Sequence, residues 1–178
     1  MRDVIEIGTK RLKLRRLRIS DAQRMATFLD DPGVGRNLAM TPLPYLPSAA
    51  EGWIMITQAR APLGRDFVFG VDLPGEGLIG CIGAHRRDGE SFEVGYWFGR
   101  PYWGQGFATE AARAFVAEAG KLGALEAGHF ADNPASGRVL SKAGFAYTGE
   151  TKPMFSLGRG ESVACKRMRY AQRVQAAA

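Results

Sequence analysis

Apolar and polar positions along the chain change period several times, and each change marks an element. In KRLKLRRLR, residues 10–18, Leu12 and Leu14 alternate with Arg11, Lys13 and Arg15, the pattern of a half-buried strand with a basic outer face. ISDAQRM then offers Ser20 as a helix N-cap with Gln23 three residues on, a capping-box pattern. Ala22, Met25, Ala26 and Leu29 form one apolar stripe, which predicts a helix from Asp21 to about Asp30. The stretch DDPGVGRNLAMTPLPYLPSAAEGW keeps neither period until Ser48, which can cap a short helix reaching about Ala59.

From Asp66 the period becomes two. DFVFGVD, GLIGCIGAHRR and SFEVGYWF are separated by LPGE and RDGE, turn sequences of the hairpin kind, and predict three consecutive antiparallel strands. A helix from about Thr109 to Leu122 follows, then LEAGHF as a strand, then a helix capped by Asn133 with Pro134 at its first position. The glycine of AGF closes that helix, and FAYTGETK with ESVACKRMRY reads as a terminal hairpin. The sum is a mixed α+β pattern of about seven strands and about four helices, with a mostly antiparallel sheet.

At 178 residues and 46% hydrophobic, the chain fills one core, so residues 1–178 are read as a single domain. No apolar run reaches the roughly 18 residues of a membrane span, and MRDVIEIGTK lacks the apolar middle of a secretory signal. With only two cysteines, too few for a disulfide framework, a cytoplasmic protein with no membrane partner is expected. The formal net charge of +6 favours anionic company: RNA, acidic proteins or phosphorylated cofactors. Charge alone does not choose among them, nor between monomer and homodimer. The run at 10–18 is expected to be a solvated edge strand, where Lys and Arg also discourage aggregation. Cys81 and His85 lie four apart on one strand, and four strand residues span roughly 13 Å, too far for two ligands of one metal ion; no metal is expected.

The stretch GRPYWGQGFATEAARAF, residues 99–115, sets Gly104 and Gly106 one residue apart where a helix is about to begin. Glycine there frees φ and lets backbone N–H groups approach a ligand, and helix N-termini favour anions. A phosphate seat is the functional reading; a ligand-free helix-entry turn is the alternative. GQGFAT lacks the Lys of a nucleotide-triphosphate loop, and it lacks the third glycine and the directly feeding strand of a dinucleotide fingerprint.

EVGYWFGRPYWGQGFATEA followed by NPASGRVLSKAGF resembles the GNAT superfamily of acetyl-CoA-dependent N-acetyltransferases, and within it the Rim-type enzymes that acetylate N-terminal amines of ribosomal proteins. The signature of Arg or Gln, two residues, Gly, one residue, then Gly or Ala falls on Trp103, Gly106 and Ala108, with Trp103 departing from its first position. The resemblance implies a twisted sheet with a splayed strand pair forming the cofactor cleft. It implies that the N–H groups of Gly104, Gln105, Gly106, Phe107, Ala108 and Thr109 bind the pyrophosphate of coenzyme A. Trp97 and Phe98 would offer main-chain bonds to the pantetheine arm, Asn133 would contact the cofactor, and Ser136 would stand near its thiol. Arg138 would meet a cofactor phosphate. The plain alternatives are helix capping for Asn133 and a water-facing Arg138.

The implied reaction is attack of a neutral amine on a thioester, which needs a proton acceptor and a group to steady the departing thiolate. Glu93 lies on the strand face opposite Phe92, Val94 and Tyr96, and related enzymes often use a Glu of this strand, directly or through water; a solvated carboxylate is the alternative. Many relatives protonate the thiolate with a Tyr at the place held here by Leu140, which leaves Ser136 as the candidate partner and Tyr147 as a substitute. No arrangement suggests a covalent acetyl-enzyme, so direct transfer in a ternary complex is expected. The acceptor that the resemblance implies is a protein N-terminus, such as that of a ribosomal protein, with a small amine or antibiotic as the alternative. A basic RNA-binding module is the alternative of another class.

Overall fold

Strand pairing gathers the alternating segments into one sheet. The structure, a computed structural model, describes residues 4–87 and 91–171. Among these, β1 (Glu6–Gly8), β2 (Lys13–Arg15), β3 (Asp66–Leu73), β4 (Gly77–Arg86), β5 (Phe92–Phe98), β6 (Leu125–Phe130), β7 (Phe145–Ser156) and β8 (Glu161–Tyr170) form an eight-stranded sheet in the order β1-β2-β3-β4-β5-β6-β8-β7. Every neighbouring pair is antiparallel except β5 and β6. The helices are α1 (Ala22–Leu29), α2 (Pro32–Gly35), α3 (Pro47–Arg60), α4 (Phe107–Ala119) and α5 (Pro134–Lys142). The helix predicted to reach Leu122 ends its regular part at Ala119, and a 3-10 turn over Gly120–Leu122 completes it.

Each face of the sheet has its own core. On one, α4 and α5 bury Phe107, Phe115 and Leu140 against Ile79, Ile82, Phe92 and Val94. On the other, Met25 and Leu29 of α1 and Ile54 of α3 close over Leu78 and Cys81 of β4. Ile79 and Ile82 share a face although three residues apart, because the β3–β4 register shifts between Val71 and Asp72. A bulge of this kind adds one residue to a strand and reverses its phase.

Several expectations are corrected. Neither β1 nor α2 was foreseen, and β1 takes the sheet edge that had been assigned to the basic strand. Ser20 is not the cap: Arg18 N donates to Asp21 Oδ2 at 2.7 Å. Ser48 is not a cap either, since α3 starts at Pro47 after Leu46. The RDGE turn extends past Arg87 into residues outside those described. Among the described residues, no helix is long and apolar enough to cross a membrane.

Three cations of the basic run pair with carboxylates of the molecule itself, Arg15 largely buried and Arg11 and Lys13 exposed. Arg15 reaches Asp21 at 2.8 Å and Asp72 at 2.6 Å, Lys13 reaches Glu6 at 2.6 Å, and Arg11 reaches Glu110 at 2.7 Å. These pairs offset part of the charge that the RNA-binding alternative would need on this strand.

Candidate active site

β5 and β6 run side by side only from Phe92–Leu125 to Val94–Ala127 and then part. A cleft of about 400 Å³ opens past that point, against the N-terminal ends of α4 and α5. Ten of the residues named from the sequence line it: Trp97, Phe98, Gly104, Gly106, Phe107, Ala108, Thr109, Asn133, Ser136 and Arg138. Gln105 lies outside the lining and turns away, its amide donating to Pro101 O at 2.8 Å and its carbonyl accepting from Arg11 Nη1 at 3.0 Å.

The turn before α4 depends on backbone conformation. Gly104 has φ 75° and Gly106, the N-cap of α4, has φ 82°. A Cβ on Gly104 would meet nothing within 4 Å, and one on Gly106 would only touch Arg11 at 3.5 Å. Both positions therefore need glycine for its left-handed φ, and this conformation turns the first N–H groups of α4 toward the cleft, where an anion is favoured. Phe107 closes the turn from below, with the Arg11 guanidinium 4.3 Å from its ring centre.

Strand phase corrects one expectation. Phe92 N donates to Ala124 O at 2.9 Å, toward β6, whereas Gly99 N donates to Ile79 O at 2.9 Å, toward β4. With a period of two, the main-chain groups of Val94, Tyr96 and Phe98 face the β6 side and those of Trp97 face β4. Trp103 further takes Phe98 O with its indole N–H at 2.7 Å. The main-chain atoms open to a pantetheine-like arm are thus those of Tyr96 and the N–H of Phe98, not the pair Trp97 and Phe98. These diverging strands, the left-handed glycines and the helix end fit an extended chain that carries a pyrophosphate.

At the head of α5, Asn133 accepts from Ser136 N at 3.2 Å, so it caps the helix and lines the cleft together. Ser136 Oγ lies 2.8 Å from Tyr96 Oη. Burial pushes the Tyr96 phenol up to about 12, the bond to Ser136 opposing it. The phenol stays protonated at neutral pH, and with its proton on Ser136 Oγ the serine hydroxyl is free to donate into the cleft. Tyr147 is committed elsewhere: its Oη lies 2.9 Å from His129 Nε2. His129 Nδ1 faces Phe130 O at 2.8 Å and must donate there, so Nε2 accepts from Tyr147. Leu140 is buried in the core.

Glu93 lies on the opposite face of the sheet and does not line the cleft. Both of its oxygens accept from Arg167 of β8, one at 2.8 Å, with the two side chains only 14% and 13% exposed. Cys81 is a buried free thiol on that face, its titration driven far up by burial. Among the described residues, no group of three His, Cys, Asp or Glu is arranged to hold a metal ion.

Sequence reasoning missed Tyr96, whose alternation with Phe92 and Val94 marked it as core. It also missed Val34, Asn37 and Leu38, which line the cleft from the aperiodic stretch after α1. Lys142, one turn beyond Arg138, adds a second cation to the lining.

Comparison with known proteins adds the following. A profile of the family described as acetyltransferase (GNAT) domain matches residues 11–146. An uncharacterized N-acetyltransferase, p20, of Bacillus licheniformis is 31% identical over 111 residues, which is 61% of this chain and 62% of that protein; the chain thus matches less than two thirds of that relative's length. RimJ of Mycobacterium smegmatis, solved in complex with CoA-disulfide, superimposes with a TM-score of 0.78 at 22% identity, covering 96% of this chain and 90% of that one. RimL, a ribosomal L7/L12 alpha-N-protein acetyltransferase solved with coenzyme A, gives a TM-score of 0.80 at 15% identity, covering 92% and 96%. At such identities the two structures share the fold with this chain.

Proposed function

The chain belongs to the GNAT acetyltransferase family, and on that premise we propose that it transfers the acetyl group of acetyl-CoA to a primary amine by direct attack in a ternary complex. The amine is the N-terminal α-amine of a protein. The observation that carries this reading is the cleft where β5 and β6 part, closed at one end by the left-handed glycine turn and at the other by Ser136. Acetyl-CoA supplies the activated acyl group; the chain supplies its seat and its surroundings. The N–H groups from Gly104 to Thr109 hold the pyrophosphate at the positive end of α4, and Arg138 and Lys142 add charge along the wall. Asn133 orients the arm, and the hydroxyl of Ser136, backed by Tyr96, steadies the departing sulfur.

The N-terminal acceptor is supported by the fold shared with the two Rim enzymes and by the mildness of the proton step. An α-amine titrates near 7.7–8.0, so baring it at neutral pH costs roughly 1 kcal/mol, whereas a lysine near 10.4 costs several. The net charge of +6 also disfavours polycationic small acceptors by repulsion.

Calorimetry with coenzyme A on the parent and on Gly106→Val, together with thiol release from acetyl-CoA, tests the reading. A β-branched residue at φ 82° is strained, so Gly106→Val is expected to fold yet bind coenzyme A at least about tenfold more weakly. Peptides with a free N-terminus should release thiol; N-blocked peptides carrying lysine, and polyamines, should not. Equal binding by folded Gly106→Val would misplace the seat, and turnover of polyamines alone would overturn the N-terminal acceptor.

A further inference from the structure

Resting on the amine-acetylating reading above, we propose that His85 takes the proton of the attacking amine, with Asp66 as its positioning residue. Asp66 of β3 stands directly opposite His85 of β4 in the ladder, and its Oδ1 lies 2.9 Å from His85 Nδ1. The Asp66 side chain is 3% exposed and its other oxygen is ion-paired with Arg60 Nε at 2.8 Å. An ionised carboxylate only accepts, so Nδ1 carries a proton, and in the neutral ring Nε2 is then the nitrogen with the lone pair. The buried carboxylate also steadies the imidazolium once a proton arrives, while the ring itself remains 34% exposed.

The side-chain cover of the sheet thins on the strand next to His85. A Cβ on Gly83 would lie 3.3 Å from Nε2, so the ring leans along β4 over Gly83. Gly83 pairs with Gly95 of β5, and a Cβ on Gly95 would meet nothing within 4 Å. Val68 Cγ2, 2.9 Å from the Gly83 Cβ position, covers Gly83 beside the imidazole, so the gap is the bare backbone of Gly95 on the next strand. The gap falls where the strands part, since Val94–Ala127 is the last β5–β6 pair before Gly95. In the proposed step an amine entering from the α1–α3 face reaches, past Gly95, a thioester held in the cleft that Tyr96 and Trp97 line. Trp53 of α3 walls the gap, its ring 6.5 Å from that of His85.

Glu93, directly across from His85 in the β4–β5 ladder, is the competing base on this face. Both of its oxygens are already taken by Arg167, whereas the His85 ring is 34% exposed and is bonded to Asp66 through Nδ1. The charged groups facing His85 are Asp66 from β3, Arg60 from α3 and Glu93 from β5, the last with Arg167 behind it. In the step itself, nitrogen bonds the acyl carbon while the carbon–sulfur bond breaks and sulfur leaves with the electron pair. The surplus proton on nitrogen passes to Nε2 and from there to solvent; the sulfur, steadied by Ser136, takes its proton from water.

The test joins kinetics to a readout that does not need turnover. His85→Gln should bind coenzyme A like the parent, lose about a hundredfold or more in kcat/KM, and lose the limb of the pH profile that reports a deprotonated base. His85→Ala should regain part of its rate with added imidazole, and Asp66→Asn should lower kcat with little change in KM. In the resting parent, nitrogen NMR of the neutral ring should show Nδ1 protonated and Nε2 bare. A His85→Gln rate within about threefold of the parent with an unchanged pH profile, or a neutral ring protonated at Nε2, overturns the proposal. A parent that does not bind coenzyme A overturns the transferase reading instead, and the NMR result still judges the His85–Asp66 pair.

Discussion

Ser136→Ala removes one oxygen that packs against Tyr96 and is proposed to serve chemistry, and the two losses would be of different size. The oxygen lies 2.8 Å from Tyr96 Oη, and the same phenol also reaches Ser136 O at 3.3 Å. After the substitution the buried phenol keeps this longer bond and is not left without a partner. The cost in stability is then near the middle of the net hydrogen-bond range, about 1 kcal/mol, or roughly 2–4 °C in Tm for a chain of this length. Asn133 still accepts from the amide of residue 136, so the helix start survives. If the hydroxyl steadies a departing thiolate, the loss in the transition state is about 1.5–3 kcal/mol, the range for bonds to charged groups, and kcat falls roughly ten- to a hundredfold.

Thermal melting and thiol release at saturating acetyl-CoA measure the two effects separately. Tyr96→Phe is the control: it breaks the same bond from the other end while leaving the Ser136 hydroxyl in the cleft, so its kcat should fall less than that of Ser136→Ala. A Ser136→Ala variant that melts a few degrees lower and turns over at the parental rate refutes the chemical role. The pair with Tyr96 would then be a strut between β5 and α5, and the thiolate would have to be met by water.

Two further outcomes follow from the ion pairs. Glu93→Gln leaves Arg167, whose side chain is 13% exposed, only its longer contact with Glu126 at 3.6 Å, and should cost up to about 3 kcal/mol in urea unfolding, the low end for breaking a buried pair, with the pH profile of kcat/KM keeping its shape; a profile that loses its acid limb without loss of stability would make Glu93 the base. Burial alone would raise the Asp21 carboxyl, but the bonds from Arg15 and Arg18 outweigh it and hold it below the ordinary range, so its contribution is present above the unfolded pKa of about 3.9 and lost as pH falls through the folded value. The stability gap between the parent and Asp21→Asn should therefore be full at neutral pH and close below about pH 4; a gap that persists in stronger acid sinks this account.

What was legible in the sequence was whatever is decided within a few residues. Asn133 followed by Pro134 caps α5 as expected, because the bond to Ser136 N is local. The Gly104–Gly106 turn announced itself for the same reason. Ser20 failed as a cap because Asp21 takes the amide of Arg18, three residues back, while Arg15 of β2 holds its carboxylate. The three-residue β1 carries no period of its own and exists only through its pairing with β2. The His85–Asp66 pair shows the limit most sharply. The hairpin turn sets Leu73 opposite Gly77, and counting back from there at even register puts Asp66 across from Ala84, whose side chain points to the other face. The shift between Val71 and Asp72 moves the register by one residue and brings His85 into that place. A one-residue slip exchanges the two faces of a strand, so the bulge decides whether this carboxylate meets an imidazole or a methyl group. Nothing in the alternation of DFVFGVD or GLIGCIGAHRR records that choice.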